Sequence, residues 1–560
     1  MTSDTFARRP LPVLSLAAAL TLGAFVHAQN DATEISGAVV PASKPLPADR
    51  AKGSAAVTVE DCKTWLYTLA SPEFEGRQTG YPGFQKAADL VAAHFKKLGL
   101  EARGEDGSYF QTVPWTTNTP IADKTFVSFS KDGREVMRIP AERLAGSASA
   151  NATSDGDVVL LTVVPPKVEA GGGRRMRVPE IPGLADIDVE GKAVVLYLVG
   201  DDADPTSLAM ARFGVQRALA GKNAAIVLTA QKAPATGGLR GRSGPGRGTG
   251  RGVVGGRRAP LDATFGGDDL TALLAAAGTD DAALSGDQLT RALPLHANVS
   301  VALEEVQGPA MNVWAVLPGS DPKLKDEYVV IGSHLDHVGM RGGLHPGADD
   351  DGSGTTGVLA VSTMFVNNPI KPRRSVLFLC FCGEEDGLIG SRYFSQNPPI
   401  PLEAIAAELQ MDMIGRDEEE NREGDRGEKA EDNVNSLHLV GTQKLAPALH
   451  ALCLRKNETA QFSIEYDQEG MFGRSDHANF ARMGVPIAFF FTGLHKDYHE
   501  TTDTPDKINF PKLLRVANYV YDIAFDLAQA DDRPLVEPDL WNAYRGKGRD
   551  EPAAPVSRDR

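Results

Sequence analysis

The chain of 560 residues carries a formal net charge of −16, with 42% hydrophobic and 24% charged residues. A chain this long and apolar can bury more than one core, and its acidity excludes a general nucleic-acid or anionic-membrane partner. Four cysteines, Cys62, Cys380, Cys382 and Cys453, exclude a disulfide scaffold at this length.

The first element reads as a secretory signal over residues 1–28: Arg8-Arg9, an apolar stretch from Leu11 to Phe25, then Val26-His-Ala28 with small residues at the cleavage positions. The apolar stretch is too short to span a bilayer, so the product is expected to be exported, to the periplasm or the medium, with no stable membrane insertion. Residues 29–56 are Ala/Pro/Ser-rich and aperiodic, as in a linker. Thr58-Val-Glu-Asp61 then caps a helix carrying Trp65, Leu66 and Leu69. After the turn Gly80-Tyr-Pro-Gly83, the spacing of Phe84, Ala87, Ala88, Val91, Phe95 and Leu98 predicts a second helix closed by Gly99. Residues 57–120 and 306–530 are assigned to one catalytic domain. Residues 121–305 read as an insertion, with strands over Asp157 to Val164, Lys192 to Val199 and Ala224 to Leu228 and a helix over Leu208 to Ala220. The insertion holds no cluster of histidines and carboxylates, which suits a lid or recognition module. Its Gly/Arg-rich stretch, residues 237–258, reads as a surface loop rather than an anion-binding arm.

From Met311 onward, short apolar runs alternate with helical patterns. Val313 to Leu317, Val329 to Gly332, Val376 to Phe381, Leu437 to Val440 and Ile487 to Phe491 have the character of strands buried on both faces. Thr355 to Phe365, Leu445 to Leu454 and Phe510 to Ala530 have helical period. The pattern predicts an α/β sandwich around a mixed, mostly parallel sheet. Cys380 and Cys382, two apart on one strand, face the same way and cannot bridge each other. The Pro- and charge-rich tail, residues 531–560, is expected to be loosely attached.

The chemistry lies at the ends of those runs. His334 follows the strand at Val329, where open α/β sheets place ligand-binding residues, and Asp336 stands two residues on, where it can orient the imidazole. Asp349-Asp350-Asp351 crowds like charges, a cost that a cation would relieve. Glu384-Glu385 ends the Cys382 strand, and adjacent carboxylates can divide the labour of binding metal and moving a proton. Asp412 and His499 complete a set of His and carboxylate groups of the kind a two-metal hydrolytic site uses.

These residues resemble the co-catalytic zinc aminopeptidase family of bacterial leucyl aminopeptidase-like exopeptidases. The resemblance rests on His334-Leu-Asp336, Gly347-Ala-Asp-Asp350-Asp, Gly383-Glu384-Glu385-Asp-Gly-Leu-Ile-Gly-Ser391, Met411-Asp412-Met, Ser475-Asp476-His477 and Tyr498-His499, and covers residues 306–530. The leader Leu69-Ala-Ser-Pro-Glu-Phe-Glu-Gly-Arg77 and Ser108-Tyr-Phe-Gln111 resemble family members that carry an insertion. The insertion in turn resembles a β-rich protease-associated domain through Gly191-Lys-Ala-Val-Val-Leu196 and Ala224-Ala-Ile-Val-Leu228. The resemblance implies a three-layer zinc exopeptidase fold, two zinc ions per chain and peptide substrates. It implies that Asp350 bridges the metals, with His334 and Asp412 on one and Glu385 and His499 on the other. Glu384 would be the general base, Asp336 the support of His334, and the Asp350–Asp351 peptide would be cis. Phe472 stands where well-studied members carry a tyrosine that helps hold the oxyanion; Arg474, Asp476, His477 and Tyr498 are assigned to the same substrate region, and His477, Arg474, the metals alone or Tyr466 could replace the missing donor. Carboxypeptidase, dipeptidase or glutaminyl cyclase activity on the same fold, or a non-catalytic binding role, are the alternatives.

Overall fold

Three of the apolar runs of the C-terminal half and a fourth strand that carries Glu408 and Gln410 pair in parallel, and their C-terminal ends lie side by side. In this computed structural model they belong to an eight-stranded sheet built from β1 (Phe110–Thr112), β2 (Met311–Leu317), β3 (Tyr328–His334), β4 (Ser375–Phe381), β5 (Ile405–Met411), β6 (Ser436–Val440), β7 (Ser463–Glu465) and β8 (Ile487–Phe491). The order is β1-β2-β4-β3-β5-β8-β6-β7. Strands β4, β3, β5 and β8 form the parallel centre, in register His334 to Phe381 and Met411 to Phe490. β1, β2 and β6 run antiparallel to their inner neighbours. The structure describes residues 43–545 except 149, 166–182, 200–210, 213, 216, 217, 220, 221, 234, 236–238, 242, 245–260, 286–288, 341, 342 and 421–427. The signal at 1–28 and the end of the tail from residue 546 thus lie outside the described residues.

Every residue of β3, β4 and β5 is buried, because helices cover both faces. Val329, Ile331, Phe378 and Cys380 point into one core, and Tyr328, Val330, Leu377 and Leu379 into the other, the alternation that a pleated strand imposes. The first core is closed by α1 (Val59–Leu69), α2 (Pro82–Lys97), α3 (Gly352–Asn367), α4 (Pro447–Ala460) and α5 (Phe510–Gln529). Thr58 and Asp61 form the expected capping box of α1. The second core takes Phe394, Phe480 and Trp541 from shorter helices. The result is a three-layer α/β sandwich around a mixed sheet. All four cysteines are free and buried, and burial pushes the Cys380 thiol up to about 12.

Residues 126–301 build a second, nine-stranded sheet whose long strands Ala152–Val163 and Thr290–Val301 pair antiparallel. It has apolar clusters of its own. The chain enters through Thr116–Pro120 and leaves through Leu303–Gln307, and these two crossings pair with each other antiparallel. Ala193–Leu198 and Ile226–Gln231 are strands near the expected positions. The Gly/Arg-rich stretch is less loop-like than composition suggested. Leu239–Gly241 pairs with Ala145–Ala148, and Ser243–Gly244 with Thr116 and Thr117; residues 245–258 lie outside the described residues.

Two expectations at the ends of the catalytic half need correction. Residues 43–56 do not behave as a linker: the Arg50 guanidinium is buried and donates to Asp522 Oδ1 at 2.6 Å and Asp526 Oδ1 at 2.5 Å. The tail does not hang loose over residues 531–545 either. A helix α6 (Pro538–Arg545) sinks Trp541 fully into the core, and the Glu537 amide donates to Leu445 O at 3.0 Å. One large aromatic in an otherwise charged segment supplies the burial that its composition hides.

Candidate metal centre

His334 is the last residue of β3. Its Nδ1 lies 3.1 Å from the backbone oxygen of Asp336; a carbonyl only accepts, so Nδ1 carries the proton and Nε2 presents its lone pair. Nε2 faces Asp350 Oδ1 at 3.2 Å and Asp412 Oδ1 at 3.5 Å. Asp412 follows β5, the neighbouring strand, and Glu384 and Glu385 follow β4 on the other side. The parallel register thus gathers groups 78 residues apart in sequence at one sheet end.

Asp350 arrives on the loop before α3 and is shared. Its Oδ2 lies 3.0 Å from His499 Nε2 and 3.6 Å from His337 Nδ1. Glu385 stands 3.0 Å from His499 and 2.8 Å from His337. Two ligand groups therefore overlap at Asp350: His334, Asp350 and Asp412 in one, and Asp350, Glu385 and His337 in the other, with His499 beside it. His337 is a residue that sequence reasoning missed, although it adjoins Asp336. It is fully buried and neither ring nitrogen makes an aligned hydrogen bond. The peptide between Asp350 and Asp351 is cis.

The three consecutive aspartates do not share one job, and crowding of charge is not what singles out the site. Asp351 accepts amides from His334, Gly354 and Met413 at 3.1, 2.8 and 3.1 Å. Asp349 accepts the Gly415 amide at 2.7 Å and faces His495 Nε2 at 3.2 Å. Only Asp350 turns its carboxylate to the cluster, and its own amide is held by Asp503. Asp336 is likewise reassigned. Its carboxylate stands 3.9 Å from His334 Nδ1 and accepts the Glu384 amide at 3.1 Å, so it is the Asp336 carbonyl that orients the ring.

Arg77 ties these loops together. It is fully buried, and its guanidinium donates to the carbonyls of Leu335, Leu69, Pro346 and Gly347 at 3.0, 2.9, 2.7 and 2.7 Å. The Leu335, Pro346 and Gly347 carbonyls flank His334 and the loop leading to Asp350, and the Leu69 carbonyl ends α1.

The electrostatics show a centre that demands positive charge. Burial pushes Asp350 up, but the facing imidazoles of His334, His499 and His337 outweigh it and hold the carboxyl well below its usual range. Burial and the Asp350 charge push Glu385 up, yet His337 and His499 bring it down to about 2. Burial opposes a charge on His499, and the Asp350 and Glu385 carboxylates facing it raise it regardless to about 10. Glu384 differs: burial dominates and lifts it well above the usual carboxylate range. It shares a cavity with His334, Asp350 and Asp412, walled by Met413, Met471, Arg474, Phe489, Phe491 and Tyr498.

Of the expected substrate residues, Arg474 and Tyr498 line that cavity. The Arg474 guanidinium donates to the Tyr498 hydroxyl at 3.2 Å, and the Tyr498 ring stacks on His499 at 3.9 Å between centroids. Phe472, Asp476 and His477 do not reach the wall. The His477 ring is packed between Phe472 and Phe489, and burial lowers it to about 3; Asp476 is fully buried at the start of the helix His477–Arg482. Tyr466 packs on His450 instead of entering the cavity.

Residues 312–524 match the sequence profile described as peptidase family M28. This segment belongs to that family. The M28 segment is 28% identical over 230 residues to a probable leucine aminopeptidase of Arthroderma otae, a match covering 39% of this chain and 58% of that protein. It is 31% identical over 199 residues to leupeptin-inactivating enzyme 1 of Streptomyces exfoliatus, covering 35% and 38%. The chain thus spans little more than half the length of the leucine aminopeptidase it matches. Among solved structures, the aminopeptidase from Aneurinibacillus sp. strain AM-1 aligns over 88% of this chain and 98% of its own at 21% identity and a TM-score of 0.44. The zinc aminopeptidase BSAP of Bacillus subtilis aligns over 85% and 96% at 16% identity and a TM-score of 0.48.

Proposed function

We propose that this chain is an exported zinc-dependent aminopeptidase that removes N-terminal residues from peptides. The observation that carries the reading is Asp350, whose two oxygens serve two overlapping His and carboxylate groups. The donors fit a pair of zinc ions: imidazole and carboxylate are zinc ligands, and Asp350 Oδ2, Glu385 Oε1 and both His337 nitrogens are buried without hydrogen-bond partners. His334, Asp350 and Asp412 would hold one ion; Asp350, Glu385 and His499, with His337 at hand, the other. Zinc bound there supplies Lewis acidity and lowers the pKa of water into the neutral range.

The protein's own groups do the rest. Glu384 takes a proton from the attacking water and returns it to the amine nitrogen as the peptide bond breaks. Its backbone is fixed by the Asp336 carboxylate, which holds the Glu384 side chain in the cavity. The Tyr498 hydroxyl and Arg474 guanidinium line the same cavity as Glu384 and Asp350, and they are assigned the role of donor to the developing oxyanion that Phe472 cannot fill. The preference for the amino end is read from the likeness of residues 312–524 to leucine aminopeptidases, not from the charge of the cavity. Residues 121–305 are read as a protease-associated-like module outside this chemistry.

The test is metal content by mass spectrometry alongside hydrolysis of free-amine and N-blocked aminoacyl substrates. Zinc with cleavage of the free-amine series alone is expected; cleavage of the blocked series, or none, would overturn the aminopeptidase reading. Glu384→Gln should keep its metal and lose 10²- to 10⁴-fold in kcat, about 3 to 5 kcal/mol of barrier.

A further inference from the structure

At the far edge of the eight-stranded sheet stands a second histidine–carboxylate group that the proposed chemistry leaves unused. His438 lies on β6 with its side chain fully buried, and its Nε2 is 2.9 Å from Glu418 Oε2. A carboxylate on Nε2 keeps the proton there, which makes Nδ1 the lone pair. Nδ1 makes no hydrogen bond, yet it points at two more carboxylates, Asp467 Oδ1 at 3.2 Å and Glu465 Oε2 at 3.9 Å. Glu465 is itself oriented, because its Oε1 accepts the Ser436 hydroxyl at 2.7 Å. Glu418 is held too, by the Gln468 amide at 2.9 Å. Single ligand atoms of Glu418, His438 and Glu465 lie within 4.8 Å of one another.

We propose that His438 Nδ1, Glu465 and Asp467 bind a divalent transition-metal ion, zinc by preference, with Glu418 fixing the His438 tautomer. A lone pair facing two carboxylates is repulsive until a cation comes between them. An imidazole nitrogen beside two carboxylate oxygens suits zinc better than calcium, which takes oxygen ligands alone. The Glu418–His438 bond is the carboxylate–histidine arrangement that orients metal ligands elsewhere. Glu465 and Asp467 are partly exposed, at 34% and 68% of their side-chain area, so water completes the coordination. Asp467 opens the turn Asp467–Gly473, which carries Met471 into the catalytic cavity and leads to Arg474. An ion at His438 therefore fastens the start of one cavity wall.

The experiment counts zinc on the tag-free full chain after dialysis against limiting zinc chloride. It compares the wild type with Glu465→Gln/Asp467→Asn, whose side chains are partly exposed and outside the catalytic machinery, and with Asp350→Asn. The wild type should bind one equivalent more than the double variant, whatever the number held at the catalytic centre. Asp350→Asn should keep that equivalent, and zinc should raise its thermal midpoint. Adding the double substitution to Asp350→Asn should abolish the rise. Equal zinc in the wild type and the double variant, or an undiminished thermal response in the triple variant, would overturn the site and leave the aminopeptidase reading untouched.

Discussion

Replacing Arg77 with methionine isolates one guanidinium. Arg77 sits at φ +51, and any residue other than glycine bears the same backbone strain there, so the difference between the two chains is the side chain's donors. Methionine keeps much of the apolar stem and cannot donate. The change removes the bonds to Leu335, Leu69, Pro346 and Gly347. At a net value of about 1 kcal/mol per buried hydrogen bond, the loss is about 4 kcal/mol, and it grows if the carbonyls stay dry. No solvent discount applies, because Arg77 is fully buried. Burial itself works against the guanidinium's charge, with Asp351 and Asp503 offsetting it, so the bonds and not a salt bridge carry the stabilisation. Arg77→Lys should recover only part, since an ammonium is a point donor on a shorter reach. The assay is urea unfolding followed by tryptophan fluorescence, with zinc retention measured on the same samples. Arg77→Met is expected to unfold at lower urea and to release zinc more readily, because the Leu335 and Gly347 carbonyls lie on the two loops that deliver His334 and Asp350. A loss below about 1 kcal/mol, or full recovery by lysine, would refute the account.

Tyr498→Phe removes the hydroxyl next to Arg474 and should lower kcat by about 10- to 100-fold with little change in KM, as for a donor used mainly in the transition state; a changed KM alone would make Tyr498 a binding residue. Trp541→Ala should destabilise the fold by about 3 to 5 kcal/mol, the cost of emptying a buried aromatic site, which a thermal scan would register. For Asp497, burial pushes its pKa up, while Lys507, Thr502 and Arg416 outweigh burial and bring it down to about 2. A folded pKa below the unfolded value contributes stability above pH 4 that is lost as the pH falls toward 2. The Asp497→Asn variant should therefore show a shallower decline of thermal midpoint between pH 4 and pH 2 than the wild type, and parallel curves would remove Asp497 as the cause.

Local pattern made much of the site legible. Charge-free apolar runs of five to seven residues have the character of strands covered on both faces, and polar groups just past their C-terminal ends therefore gather at one end of the sheet. That placed His334, Glu384, Glu385 and His499 in one region from the chain alone, whereas Asp412 follows a strand that carries Glu408 and Gln410; the spacing of α1, α2 and α5 was equally plain because helical period is a near-neighbour property.

What the tertiary structure alone decided depends on partners distant in sequence. Asp349, Asp350 and Asp351 are chemically alike, and only packing shows two of them spent on backbone amides and one turned to the cluster. Arg77 bonds to carbonyls 258 to 270 residues away, and nothing in its neighbourhood along the chain announces that. His337 carries no periodic signal, since a histidine's role follows from what faces its two nitrogens. Trp541 was masked by charged neighbours, because mean composition cannot say which single side chain finds a cavity. Local period and apolar burial were enough to locate the main strands and helices and the candidate ligand residues at their ends. The division of labour among identical carboxylates came from the fold, where the hydrogen-bond partner of each oxygen is set.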